Sequence, residues 1–257
     1  MILCWVRFYE ELNFFLTPER RKQDIESVGY TTRSVKDLIE SFGVPHVEVD
    51  LVLVNGGSVG FNYLVQDGDR ISVYPVFERF DIGTEQRLRP VPLRVPRFVA
   101  DVHLKTLVRR LRMLGFDTTY DPVLTDPELA EISSQEQRIL LTRDRQLLMR
   151  NSVTRGIYVK STDPDLQIQE IVATLDLVGK MKPFTRCITC NATIEVLNTN
   201  ALEEAAREQI PATVRSECKE YGRCTGCSKI YWKGSHFHRM LSMIETIRAG
   251  TCPDAGF

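Results

Sequence analysis

Arg97-Phe98-Val99-Ala100-Asp101 decides the fold, because this short apolar run ending in a carboxylate is followed at once by a helical repeat. Leu104, Leu107, Val108, Leu111 and Leu114 recur at the i, i+3, i+4, i+7 spacing of one buried helix face. Gly115 stands at the C-cap position where that helix, His103 to Leu114, should end. Lys105, Arg109 and Arg112 fall on nearly the opposite side, as on a solvated helix face. The rhythm continues downstream. Phe116 to Tyr120 reads as a second strand, Pro127 to Ser134 as a helix and Arg138 to Thr142 as a third strand. Asp144 to Arg150 reads as a helix, Gly156 to Lys160 as a fourth strand and Pro164 to Leu177 as a longer helix. Strands alternating with helices in this way predict a parallel, doubly wound α/β sheet over residues 97–180.

Ligands of such a sheet bind beyond the carboxyl ends of its strands. The residues there are acidic: Asp101 ends the first strand, Asp144 follows the third after Thr142-Arg143, and Asp163 lies just past the fourth. Asp126 begins the helix between the second and third strands. Carboxylates converging on one edge repel one another unless cations fill the space, and hard oxygen ligands suit magnesium or manganese. Two such ions about 3.5–4 Å apart can activate water and stabilise the leaving oxygen in phosphodiester hydrolysis. Helix capping is the competing role, since Asp126 before Pro127 has the form of an N-cap followed by a proline, and Asp144 could cap its own helix. Asp101, at the end of a buried apolar strand, must find a partner or a cation.

Two matched pairs, Cys187-Ile188-Thr189-Cys190 and Cys224-Thr225-Gly226-Cys227, describe a closed tetrahedral zinc site of structural type. The intervening residues 191–223 exceed the simplest ribbon spacing and imply an inserted segment, with Ala201 to Ile210 as a short helix. Disulfide or redox pairing fits poorly. The chain begins Met1-Ile2-Leu3-Cys4 with no charged leader, apolar run and cleavage site, so a cytoplasmic, reducing compartment is expected. No stretch is long and apolar enough to cross a membrane. Cys4, Cys218 and Cys252 receive no role, and His236 and His238 are assigned to packing or nucleic-acid contact rather than to the metal.

Upstream, Ile2 to Phe8 alternates like a strand, Ser34 to Phe42 reads as a helix ended by Gly43, and Val49 to Val54 and Arg70 to Pro75 as two more strands. Three prolines in 81–96 mark a semi-rigid linker. With 257 residues the chain divides into 1–80, the linker 81–96, 97–180 and 181–257, carrying formal charges of −4, +1, 0 and +2 within a total of −1. No segment is basic enough for charge alone to indicate nucleic-acid binding, so that reading must come from a site.

The strand order around one helix, with Leu53-Val54-Asn55-Gly56 and Asp67-Gly68-Asp69-Arg70-Ile71, resembles the ubiquitin-like β-grasp domains of sulfur carriers. A carrier needs a free C-terminal Gly-Gly, whereas here the last strand runs through Val76-Phe77-Glu78-Arg79-Phe80 into the linker. A fused docking or substrate-positioning module, with a protein partner, is the expectation. Further on, Phe98-Val99-Ala100-Asp101-Val102-His103-Leu104-Lys105, Leu111-Arg112-Met113-Leu114-Gly115-Phe116-Asp117, Asp126-Pro127-Glu128-Leu129 and Arg138-Ile139-Leu140-Leu141-Thr142-Arg143-Asp144-Arg145 resemble the Mut-seven C-terminal ribonuclease family. So do Arg186-Cys187-Ile188-Thr189-Cys190-Asn191 and Cys224-Thr225-Gly226-Cys227-Ser228-Lys229-Ile230-Tyr231-Trp232-Lys233-Gly234-Ser235-His236.

That resemblance implies an α/β and α+β multidomain protein: an N-terminal β-grasp domain, a PIN-like nuclease sheet and a C-terminal zinc ribbon. It implies Mg- or Mn-dependent cleavage of RNA, with tRNA or another structured RNA as partner and zinc in a structural role. Asp101 and Asp144 match the acids after strands one and three, and Asp126 the intervening one, with Glu128 as its alternative. Asp163 is the fourth, with Asp165 behind it. Lys105, Arg109, Arg112, Arg143 and Arg145 would hold the RNA backbone, and Trp232 would stack on unpaired bases. Tyr231 and Phe237 are assigned to the ribbon's small core. A non-cleaving RNA-binding or ribosome-associated adaptor, its acids binding one structural cation or only capping helices, is the alternative.

Overall fold

The computed structural model describes residues 1–75, 88, 95–198 and 207–250. Most of the expected linker 81–96, residues 201–206 of the helix expected over Ala201 to Ile210, the run Val76 to Phe80, and Cys252 lie outside the described residues. The chain forms two compact units, Met1–Arg94 with Val123–Tyr158, and Val95–Pro122 with Val159–Phe257.

In the first unit, β1 (Ile2–Phe8) turns Cys4, Val6 and Phe8 inward. It pairs antiparallel with β2 (Ile25–Gly29). The helix α1 (Val35–Ser41) starts at Ser34, whose hydroxyl accepts from the Asp37 amide at 3.1 Å, and it buries Val35, Leu38 and Ile39 on one face. Gly43, at φ +82, follows its end. Then come β3 (Val49–Val54), the two-residue β4 (Gly57–Ser58) and β5 (Arg70–Pro75), which runs parallel to β1 and antiparallel to β3. The sheet order β2-β1-β5-β3-β4 is a β-grasp, as the resemblance implies.

The second unit opens with β6 (Phe98–Ala100), whose three residues are fully buried. A single 3-10 turn over Val102–Leu104 leads into α2 (Lys105–Met113), so the expected helix starts two residues late. Gly115 takes φ +93, and a Cβ there would sit 2.1 Å from the Lys182 carbonyl oxygen. Beyond it, β7 (Thr118–Thr119) runs parallel to β6. In the first unit, α3 (Asp126–Gln135), β8 (Ile139–Thr142), α4 (Arg145–Leu148) and β9 (Gly156–Tyr158) continue the alternation, with β9 parallel to β8. Both of these ladders are parallel, as the alternation predicts.

The ubiquitin-like segment packs on this α3–β9 stretch. The Tyr158 ring joins the β-grasp core beside Phe14 and Phe15, and its amide donates to Glu48 at 2.6 Å. His46 is buried with Nδ1 2.7 Å from Glu40 and Nε2 3.1 Å from the Val153 carbonyl. Both ring nitrogens therefore face acceptors.

In the second unit, α5 (Pro164–Thr174) is capped by Asp163. A three-stranded antiparallel sheet follows, of β10 (Ile194–Asn198), β11 (Glu220–Cys224) and β12 (Ile230–Tyr231) in that order. The helix α6 (Ala212–Glu217) lies in the inserted segment, downstream of the alanine-rich run, of whose described residues Arg207 and Glu208 are helical. The helix α7 (Ser235–Gly250) ends the described chain. Among the described residues no helix is long and apolar enough to cross a membrane.

Candidate metal centre and strand-end acids

Both cysteine knuckles are tight turns, and each brings its sulfurs to the same point. The amide of Cys190 points at Cys187 Sγ (3.5 Å), and those of Gly226 and Cys227 point at Cys224 Sγ (3.4 Å each). Gly226 is needed by packing, because a Cβ there would meet the Ala192 Cβ at 2.8 Å. Cys187 and Cys227 sulfurs are 3.7 Å apart, Cys190 and Cys224 sulfurs 3.3 Å, and all four lie within 4.8 Å of one another. A tetrahedral zinc with bonds near 2.3 Å requires sulfur separations of about 3.8 Å. The four cysteines can hold a metal such as zinc. They are the one such group of three or more ligating side chains among the described residues, and neither Cys218 nor the two histidines belongs to it.

The surroundings favour thiolates unevenly. Burial opposes ionisation of Cys187, but the Tyr231 hydroxyl, donating at 3.0 Å, and the amides of Cys190 and Thr189 outweigh it and bring the thiol down to about 6. At Cys227 the Lys229 amide favours the thiolate, but burial and the three neighbouring sulfurs prevail and push it up to about 12. Burial also raises Cys224. A metal ion would replace these protons.

The first knuckle is bolted to the α/β layers by groups that the sequence did not single out for this. Arg112, expected on a solvated face, is buried. Its Nε and Nη2 donate to the Thr118 carbonyl (3.0 and 2.9 Å), and Nη1 donates to those of Thr189 (2.7 Å) and Ile188 (3.4 Å). The helix stripe placed Arg112 opposite the leucines, but the ribbon covers that side. Asn191, at φ +72, accepts from the Thr118 amide at 3.0 Å and donates to Asp117 at 2.7 Å. Arg186 closes the set, 3.5 Å from Asp117 and donating to the Asn191 carbonyl at 2.8 Å. The left-handed Asn191 next to the knuckle was the one visible signal, since asparagine tolerates that conformation.

Each strand-end acid stands where the alternation puts it. Asp101 directly follows β6 and precedes the 3-10 turn, with no side-chain cap bond to it. Asp144 follows β8 by two residues and caps α4, its Oδ1 accepting from Gln146 (2.7 Å) and Leu147 (3.4 Å). Asp163 caps α5 in the same way through Oδ1, accepting from Asp165 at 2.7 Å. Both caps use only the first carboxylate oxygen, so capping and cation binding are compatible at one side chain. Asp126 is a correction: it is the first residue of α3 rather than its cap. Thr125 holds the extended cap conformation, and its amide and hydroxyl both donate to Glu128 at 2.7 Å. Thr-x-x-Glu is a capping box and outcompetes Asp-Pro. Glu128 is thereby committed, and those hydrogen bonds hold its carboxyl below the usual range. Asp165 is committed too, to Arg110 at 2.6 Å.

Among the cations, Lys105 is exposed at the start of α2 and Arg143 is half-buried beside Asp144. Arg145 lies over the rings of Phe14, Phe15 and Tyr158, 5.1–6.0 Å from their centroids, and donates to the Phe15 carbonyl at 3.1 Å. It fastens α4 to the 3-10 turn Glu10–Phe15 of the β-grasp segment. Trp232 is half-buried against the ribbon's small core of Ile210, Tyr221 and Ile230.

No curated protein and no solved structure matches the chain. Two family models do: the Mut7-C ubiquitin model over residues 1–81, and the Mut7-C RNAse domain model over residues 96–244, more than half the chain. The β-grasp order, the parallel strands with acids after them and the four-cysteine centre agree with that match, and the chain belongs to the Mut7-C RNAse domain family, with the family's ubiquitin domain ahead of it.

Proposed function

We propose that this is a metal-dependent ribonuclease that hydrolyses RNA phosphodiester bonds with Asp101, Asp144, Asp126 and Asp163, and that a zinc-bound ribbon assists RNA binding. The single observation that supports it best is positional: Asp101 and Asp144 each follow a buried strand of a parallel ladder, within a stretch matched by a ribonuclease family model. In such sheets the carboxyl edge is where ligands sit. Residues 1–80 serve as the ubiquitin-like module, 81–96 as linker, 97–180 as the nuclease and 181–257 as the ribbon with its helix.

Magnesium or manganese held there would lower the pKa of a bound water and offset charge on the leaving oxygen. The chain's own residues do the rest. Asp144 and Asp163 each keep one oxygen in a helix cap, which fixes the carboxylate plane and leaves Oδ2 outside the cap. Lys105 and Arg143 hold the phosphate backbone without reading sequence. Arg145, committed to the β-grasp aromatics, acts by fastening the helix that Asp144 caps. The four cysteines hold zinc as a closed structural centre. The proposed location is the cytoplasm, a reducing compartment in which paired cysteines more often hold metal than each other.

The capping roles of Asp144 and Asp163 favour one other reading, the non-cleaving RNA-binding or ribosome-associated adaptor. Zinc-loaded protein incubated with mixed cellular RNA separates them. Cleavage with Mg²⁺ or Mn²⁺ that EDTA stops is expected, and intact RNA with retained binding would establish the adaptor.

A further inference from the structure

The ribbon carries a cleft of about 200 Å³, lined in part by Trp232. Phe184, Tyr231, Trp232, Phe237 and Met240 line it, together with Val196, which is 75% exposed. Phe184 holds φ +62, a left-handed conformation that costs a phenylalanine on the order of 1 kcal/mol or more, and its ring meets that of Phe237 at 4.6 Å. Gly222 sits in the wall, where a Cβ would lie 2.7 Å from Ile194 Cγ2 and force the wall apart. The polar atoms at the edge are few and of both signs. Glu220 pairs with Lys233 at 3.3 Å, and Arg186, held by Asp117 and the Asn191 carbonyl, also lines the cleft.

We propose that this cleft takes one unstacked nucleobase of an RNA strand. Its volume lies below the roughly 300–1,000 Å³ of drug-sized ligand sites and suits a single flat ring system rather than a peptide segment. Aromatic faces with a short polar edge are how proteins hold splayed-out bases, the rings supplying stacking and the edge groups meeting base donors and acceptors. Glu220 accepts from a base amino or imino group, while Lys233 complements an adjoining phosphate. The inference rests on RNA being the substrate and names its form: a strand with at least one unpaired base.

The test uses the zinc-loaded full chain and three fluorescent 12-mers, oligo(U), oligo(A) and an abasic strand with the same phosphates, with Phe237→Leu and Phe237→Tyr beside the unaltered protein. Leucine keeps apolar volume and removes the π face, and tyrosine keeps the face. Zinc content and unfolding midpoint certify each fold. The base-bearing strands are expected to bind about tenfold more tightly than the abasic one, within the range of one aromatic–base stack. F237L should lose that ratio and F237Y retain it, while abasic binding stays unchanged in both. Equal binding of all three strands, or a ratio untouched by F237L, overturns the cleft. So does a concentration-dependent dimer split by Val196→Arg, which would give the cleft to a second copy of the chain. Base-dependent binding without cleavage would uphold the cleft and defeat the nuclease; cleavage without base dependence would do the reverse.

Discussion

Arg112→Ala should be the most damaging single change outside the cysteines. The buried guanidinium satisfies the carbonyls of Thr118, Thr189 and Ile188 through four donor contacts of 2.7–3.4 Å. Burial pushes its pKa down, but the thiols of Cys187 and Cys190 and the Asp117 carboxylate favour the charged form. Hydrogen bonds from a charged donor contribute about 1.5–3 kcal/mol each. Against that stands the several-kcal/mol cost of desolvating the charge, which alanine no longer incurs. What remains is dominated by the carbonyls left buried without a donor, at about 1–3 kcal/mol each. A net loss of about 3–5 kcal/mol follows, on the order of 10 °C in midpoint for a unit of this size. A tetrathiolate zinc centre also carries a charge of −2, so removing the cation beside it should weaken zinc. Urea unfolding followed by circular dichroism, and zinc competition with a chromogenic chelator, measure both. Arg112→Lys should recover little, because one ammonium cannot serve two carbonyl sites as the fork does. An R112A protein with unchanged midpoint and zinc affinity would refute the account of how the ribbon is held.

Four further outcomes are expected. A chain shortened to residues 96–257 should not fold cooperatively, since β9 loses Phe14, Phe15 and Glu48; rapid hydrogen exchange across 139–158 is the check, and full protection there would contradict it. Gly115→Ala should cost about 2 kcal/mol or more, from φ +93 together with the approach of the Lys182 carbonyl, and chemical denaturation reads it directly. Zinc affinity should rise with pH through neutrality: Cys187 near 6 is already largely thiolate at pH 7, whereas Cys227 near 12 and the raised Cys224 must give up protons to the metal. Calorimetry in two buffers of different ionisation enthalpy should show that proton release, and pH-independent affinity would exclude it. Arg145→Ala should loosen α4 and raise the metal concentration needed for cleavage more than it weakens RNA binding, whereas a loss confined to RNA binding would return Arg145 to the phosphate contacts.

Much of this was legible in the residues because local signals and tertiary packing agree. Ile2–Phe8 alternates and buries alternate residues; Ser34 caps and Gly43 ends α1; the leucine stripe of α2 faces inward. The two CxxC pairs needed only their spacing. Features fixed by distant chain were not legible. Among β2's five residues only Ile25 is buried, so its apolar pattern is too thin to announce a strand. The inward role of Arg112 depends on a knuckle more than 70 residues away, and that of Arg145 on an aromatic pair 130 residues upstream. Asp126 was misplaced by one position because Asp-Pro and Thr-x-x-Glu both signal a helix start, and only the backbone angles at Thr125 decide between them.

The central claim is that the strand-end acids cut RNA. The most direct measurement compares zinc-loaded protein with an Asp101→Asn, Asp144→Asn double variant on mixed cellular RNA in Mg²⁺ or Mn²⁺, beside an EDTA control. Asparagine still caps α4, so the fold is retained. The account predicts cleavage by the unaltered chain that disappears in the variant and in EDTA while RNA binding survives. Cleavage that persists in the folded double variant would contradict it.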